Sequence, residues 1–119
     1  MPVSIYKIMT SKDWRDFQLT SVYAGSAVDL ADGYIHFSTA EQLEETLIKH
    51  YAGQGDLVVL EVDAVSLDQA QLIWEPARGG SLFPHLYEPL RLDAVCQAVS
   101  VPLLEDGRFG LPADMLSHG

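Results

Sequence analysis

The chain has 119 residues, 48% hydrophobic and 20% charged, with a formal net charge of −10. That length fits one domain, taken as residues 1–119 with a core over about 3–111 and a C-terminal tail over 112–119, able to bury roughly 65–70% of its unfolded surface without disulfides or metal. Its 7 Lys and Arg against 17 Asp and Glu form no basic patch, which excludes nucleic acid as an expected partner and disfavours anionic membranes, and no apolar run approaches the roughly 18–20 residues of a membrane span.

Met1 to Lys7 lacks a charged start leading into an apolar run, so no secretory signal is read and a cytoplasmic location is expected. Val3 to Ile8 alternates apolar and polar residues as a strand does. Thr10 or Ser11 is placed to cap a short helix, with Trp14 and Phe17 as an i,i+3 apolar pair and an end before Leu19. Ser26 can cap a short helical turn through Val28 and Leu30. Asp32-Gly33 is a turn signal, and Tyr34 to Phe37 reads as a short strand. Thr39 opens the clearest helix, because Gln42 follows three residues later and completes a capping box. Ala40, Leu43, Leu47 and Tyr51 share one face. Glu41, Glu44 and Glu45 come early and Lys49 and His50 late, in the order the helix dipole favours. Gly53 is its stop.

Leu57 to Asp63 is a near-continuous apolar run, the mark of a central strand covered on both faces. Val65 to Gln71 reads as a loop or single helical turn, and Leu72 to Glu75 as a short strand. Pro76 to Ser81, with Gly79-Gly80, is a flexible loop. Leu92 to Val101 reads as a long last strand, ended by Pro102 and Asp106-Gly107. The one cysteine, Cys96, lies inside that run and is expected to be a small buried hydrophobe. The sum is an α+β fold with two short helices early and five or six short, mainly antiparallel strands.

Familiar motifs do not account for the polar residues. Gly53-Gln54-Gly55 follows a helix and precedes a strand, the reverse of a dinucleotide fingerprint. Arg78-Gly79-Gly80-Ser81 lacks the Lys-Ser/Thr ending of a P-loop. No two of the 4 histidines lie three or four apart, so no metal site is expected. Two segments remain: Asp32 to Thr39, and Phe83 to Tyr87. Strand alternation points His36 and Ser38 to one side, and likewise His85 and Tyr87. Each histidine reads either as a satisfied core residue or as part of a pocket wall. A direct Ser38–His36 bond is strained, because residues two apart on a strand sit about 7 Å apart; Ser38 can instead help cap the next helix. The helix N-terminus after His36 suits anions or hydroxyl-rich ligands. Arg78 could meet a phosphate, or be a solvated loop residue. Glu75 could be desolvated by Trp74 or be an ordinary strand-end carboxylate.

These segments resemble a bacterial family known as domain of unknown function 952. The resemblance rests on Ala31 to Thr39, Asp56-Leu57-Val58, Trp74-Glu75, and Phe83 to Tyr87 followed by Pro89-Leu90, and it runs from Ile5 to about Leu111. It implies a fold similar to the ADP-ribosyltransferase superfamily, with a split sheet clasping a cleft. In such enzymes a histidine at the end of an early strand holds the ribose of NAD, which suggests His36, with Ser38 or Thr39 nearby. Aromatic residues stack on nicotinamide, which suggests Tyr87 or Tyr51. A late-strand glutamate supports the oxocarbenium-like transition state; Glu75 fits that pattern better than Glu88, which falls where the family often carries glycine. The implied function is binding of NAD or a nucleotide-like ligand, with ADP-ribosyl or glycosyl transfer if the protein is an enzyme. The catalytic candidates are then His36, Glu75 and His85, and the ligand-binding candidates Ser38, Thr39, Arg78, Tyr87 and Tyr51. The rival class is a non-catalytic small-molecule-binding or interaction domain.

Overall fold

In a computed structural model describing residues 3–77 and 80–111, β1 (Ser4–Thr10) runs directly into α1 (Ser11–Thr20). The Thr10 hydroxyl accepts from Asp13 N, and Ser21, with φ 68°, closes the helix. The helix therefore extends through Leu19 and Thr20, past the end expected. Both residues are exposed, so no buried periodic position marks that last turn. β2 (Val22–Tyr23) follows, and then α2 (Ala27–Asp32), capped by a full Ser26–Asp29 box. The expected helical turn is thus a helix in its own right, and with α3 (Ala40–His50) the described residues hold three α-helices rather than two.

The remaining strands are β3 (Ile35–His36), β4 (Leu57–Asp63), β5 (Leu72–Pro76), β6 (Leu82–Leu86), β7 (Leu90–Arg91) and β8 (Val95–Val101). That makes eight strands among the described residues, more than five or six, because β2 and β7 have two residues each, too few for a periodic pattern. Leu92–Ala94 is a 3-10 turn, so the last strand starts at Val95.

The strands form three antiparallel sheets among the described residues, in the orders β1-β4-β8, β2-β7 and β3-β6-β5. β4 is central, as its apolar run implied, and both its faces are covered. Tyr6, Ile8, Leu57, Val59 and Val101 pack with Leu43 and Leu47 of α3. Ile5, Met9, Val58, Leu60 and Val62 face Phe17, Ile35, Phe37 and Leu86 on the other side. The β1 and β3 regions are joined by a reciprocal pair of backbone bonds: Tyr6 N donates to Ser38 O at 2.8 Å, and Ser38 N to Tyr6 O at 2.9 Å. No helix among the described residues is long and apolar enough to cross a membrane.

Cys96 is exposed, not buried. The β4–β8 register slips at Glu61/Val62, with Gln97 opposite Glu61 and Val95 opposite Val62. Cys96 is the extra residue of that bulge, on the edge strand of its sheet. The tail 112–119 and Arg78 lie outside the described residues.

The fully buried Leu47 and the exposed Leu19 provide a direct test of where the core sits. Leu47→Ala should cost about 2–5 kcal/mol in urea unfolding, whereas Leu19→Ala should stay within about 0.5 kcal/mol.

Candidate functional site

The site is built around a carboxylate that α2 carries as its capping residue. Asp29, almost fully buried, accepts from Ser26 N through Oδ2 at 2.9 Å. Lys7 Nζ donates to the same oxygen at 2.8 Å and to His36 O at 3.1 Å. Asp29 Oδ1 accepts from His36 N at 3.1 Å and from His36 Nδ1 at 2.6 Å. Lys7 is there by alternation: it shares the face of β1 that carries Ile5 and Met9. Burial alone would push the Asp29 carboxyl up. The His36 hydrogen bond and the Lys7 charge outweigh it and hold the group well below the usual carboxylate range. Burial lowers the Lys7 ammonium, and Asp29 offsets part of that effect.

His36 is held from both ends. Its Nε2 faces Asp32 Oδ2 at 2.9 Å, while Nδ1 faces Asp29. A carboxylate only accepts, so Nδ1 donates to Asp29. Asp32 is the last residue of α2 and is exposed.

Sheet register then sets a second histidine beside the first. His36 pairs with His85 across β3 and β6, and their ring centroids are 5.4 Å apart. His85 Nδ1 donates to Glu75 Oε1 at 2.8 Å, and the Tyr87 hydroxyl donates to the same oxygen at 2.7 Å. Ile73 lies opposite His85, so Glu75 is its diagonal neighbour on one sheet face. Tyr34 stacks on His85 at 4.1 Å and 24°, and also touches the rings of His36 and Tyr87. The Tyr87 and His85 hydrogen bonds hold Glu75 below the usual carboxylate range. The same bond to Glu75, with some desolvation, pushes the Tyr87 phenol up to about 12.

A cavity of about 670 Å³ opens on this cluster. His36, Ser38, Tyr51 and His85 all line it, together with Asp32, Tyr34 and Thr46. Glu75 and Tyr87 are not lining residues: Glu75 touches the wall through His85, and Tyr87 through the ring of Tyr34. Thr39 is the N-cap of α3, its hydroxyl accepting from Gln42 N at 3.2 Å, and does not line the cavity either. Ser38 takes no part in capping. Thr46 Oγ1 donates to Gln42 O, so Ser38 Oγ donates to Thr46 Oγ1 at 3.1 Å. His50, expected only to complement the dipole of α3, also lines the cavity. Arg78, the phosphate candidate, falls outside the described residues. Among those residues no group of three His, Cys, Asp or Glu is placed to hold a metal ion.

Sequence reasoning passed over Asp29 and Lys7, and quoted Tyr34 and Asp32 without a role. Two signals were available. Asp29 stands three after Ser26, the capping-box position. Lys7 falls on the apolar face of an alternating strand, where an ammonium needs a buried partner.

The family model described as "Protein of unknown function (DUF952)" matches residues 8–98. No curated protein matches the chain. Among solved structures, the crystal structure of protein CC0527 from Caulobacter crescentus, a structural-genomics target, is 43% identical with a TM-score of 0.88, covering 94% of this chain and 97% of that one. The solution NMR structure of CC0527 is 45% identical with a TM-score of 0.79, over 88% of this chain and 90% of that one. These likenesses span the α+β architecture described above.

Asp29→Ala leaves Lys7 buried without its counter-charge and should cost about 3–5 kcal/mol in denaturant titration. Gly25, at φ +123°, would place an added Cβ 2.7 Å from Asp29 Cβ, so Gly25→Ala should cost more than about 1 kcal/mol. The Asp29 contribution also has a pH signature. Its folded pKa is depressed, so its stabilisation is complete above the unfolded value near ~3.9 and is lost as pH falls through the lower folded value. Asp29→Asn should flatten the fall of unfolding free energy with pH below about 4.

Proposed function

The chain belongs to DUF952, a family of proteins of unknown function, and we propose that its cavity binds a ribose-bearing nucleotide of the NAD or ADP-ribose class and carries out glycosyl or ADP-ribosyl transfer. The observation that carries this reading is the His36–Asp32 pair on the cavity wall. Asp29 fixes the far side of the imidazole, and Nε2 is set 2.9 Å from an exposed carboxylate. A donor and an acceptor side by side match a vicinal diol, whose hydroxyls each donate and accept. Tyr34, Phe37, Tyr51 and Phe83 line the same cavity and offer aromatic surface to a heterocycle. The volume of about 670 Å³ lies in the range of small-molecule sites. The resemblance to ADP-ribosyltransferases supports the same ligand class, since His36 ends an early strand. A cytoplasmic setting, where NAD is plentiful, suits the reading.

One observation favours the rival, a binding domain without turnover. Glu75, the candidate for supporting an oxocarbenium-like ribose, is bonded through one oxygen to both His85 and Tyr87 and stands behind the cavity wall. A transfer reaction on this site draws on Glu75 through His85 rather than by direct contact with the sugar.

Thermal unfolding with NAD and with ADP-ribose tests the reading. Ligand at 100 times its Kd adds about 2.7 kcal/mol, which raises Tm by several degrees. Asp32→Ala and His36→Ala should stay folded and lose the rise. No rise with either nucleotide sinks the nucleotide reading. A rise with NAD, unaccompanied by nicotinamide release, identifies the binding domain.

A further inference from the structure

We propose that His85, rather than His36 or Glu75, is the group that takes the proton from a small hydroxyl acceptor, water or a small alcohol, as the acceptor attacks the ligand's sugar; this role rests on the transfer reading above. The two histidine rings are neighbours, but their hydrogen bonding differs. His36 presents Nδ1 to Asp29 at 2.6 Å and Nε2 to Asp32 at 2.9 Å. Each of its ring nitrogens faces a carboxylate, and Asp32 stands between Nε2 and an incoming hydroxyl, which suits His36 to orienting the ligand. His85 presents Nδ1 to Glu75 Oε1 at 2.8 Å. The carboxylate must accept, so Nδ1 carries the proton and the neutral ring keeps its lone pair on Nε2. That nitrogen lies across the ring from Glu75, on a side chain that lines the cavity.

The surroundings of His85 are those of an oriented base. Glu75 from β5 fixes its tautomer, and the Tyr87 hydroxyl holds Glu75 at 2.7 Å. Tyr34 stacks on the ring, and His36 of β3 stands at its edge, 5.4 Å away. A base whose far nitrogen is anchored by a carboxylate is the arrangement that recurs wherever an imidazole activates a hydroxyl. His85 is only 5% exposed yet lines the cavity. An acceptor must therefore enter the cavity to reach it, which selects a small molecule over a side chain on another protein.

The step balances without a further reagent. The acceptor oxygen bonds to the ribose C1′ while its proton passes to His85 Nε2. The bond from C1′ to the heterocycle nitrogen breaks, and its electron pair stays on that nitrogen. With NAD and water the products are ADP-ribose, nicotinamide and one proton, which His85 returns to solvent. Glu75 acts as a positioning residue, holding the imidazolium formed.

Two measurements decide the role. Long-range ¹H–¹⁵N spectra of the wild-type chain should show neutral His85 protonated at Nδ1, and diethyl pyrocarbonate, which attacks an imidazole lone pair, should label His85 and spare His36. Protonation at Nε2, or labelling of His36 with His85 spared, overturns the proposal without any ligand present. In turnover, His85→Gln should keep the NAD-induced Tm rise and lose nicotinamide release about 10²–10⁴-fold. Glu75→Gln, on a half-exposed residue, should lower kcat at unchanged KM. A folded His85→Gln that keeps release, beside an active wild type, overturns this role alone. Failure of the wild-type chain to release nicotinamide at all sinks the transfer reading, and this role falls with it.

Discussion

Asp29 lies buried with Lys7 Nζ 2.8 Å from one carboxylate oxygen and His36 Nδ1 2.6 Å from the other, and the placement of the whole site depends on those contacts. Lys7 comes from β1, Asp29 from α2 and His36 from β3, so one carboxylate ties three elements together. Burying such charges costs several kcal/mol per ion unless geometry and hydrogen bonding are complete. Here they are. Oδ2 accepts from Lys7 and Ser26, and Oδ1 from the His36 ring and backbone. The short α2 follows from the same economy, because its N3 residue both caps the helix and serves the site.

From that anchor the site spreads by sheet register. Once Asp29 fixes His36, antiparallel pairing of β3 with β6 sets His85 opposite it, and β5 brings Glu75 to the diagonal position. Tyr34 fills the space against both histidines. Two chemically different histidines result from two different carboxylate environments. His36 has a carboxylate facing each ring nitrogen, whereas His85 donates from Nδ1 to Glu75. Environment, not residue type, is what sets the two rings apart.

Local elements were legible where a local rule governs them. The Thr39–Gln42 capping box, the apolar face of α3 and the central position of β4 follow from short-range spacing, and all three hold. Cys96 misled because exposure of an edge strand and a register slip against β4 are pairwise properties with no trace in Val95-Cys96-Gln97 itself. β2 and β7 went unread because two-residue strands exist only through their partner. Capping is one of the roles open to Ser38 from its place in the chain, but Thr39 holds the cap and the Ser38 hydroxyl turns to Thr46.

The candidate site divides along the same line. His36, Ser38, His85 and Tyr87 could be singled out from composition and alternation, because a polar group in an apolar strand needs a reason to be there. Which of them meet, and through which atoms, was decided by contacts between residues far apart in the chain: Lys7 with Asp29, His36 with His85, Glu75 with His85 and Tyr87. Alternation fixes which side of a strand a residue faces, and by itself determined that much. It carries no information on what packs against that side, so the carboxylate partners that give each histidine its chemistry came only with the tertiary structure.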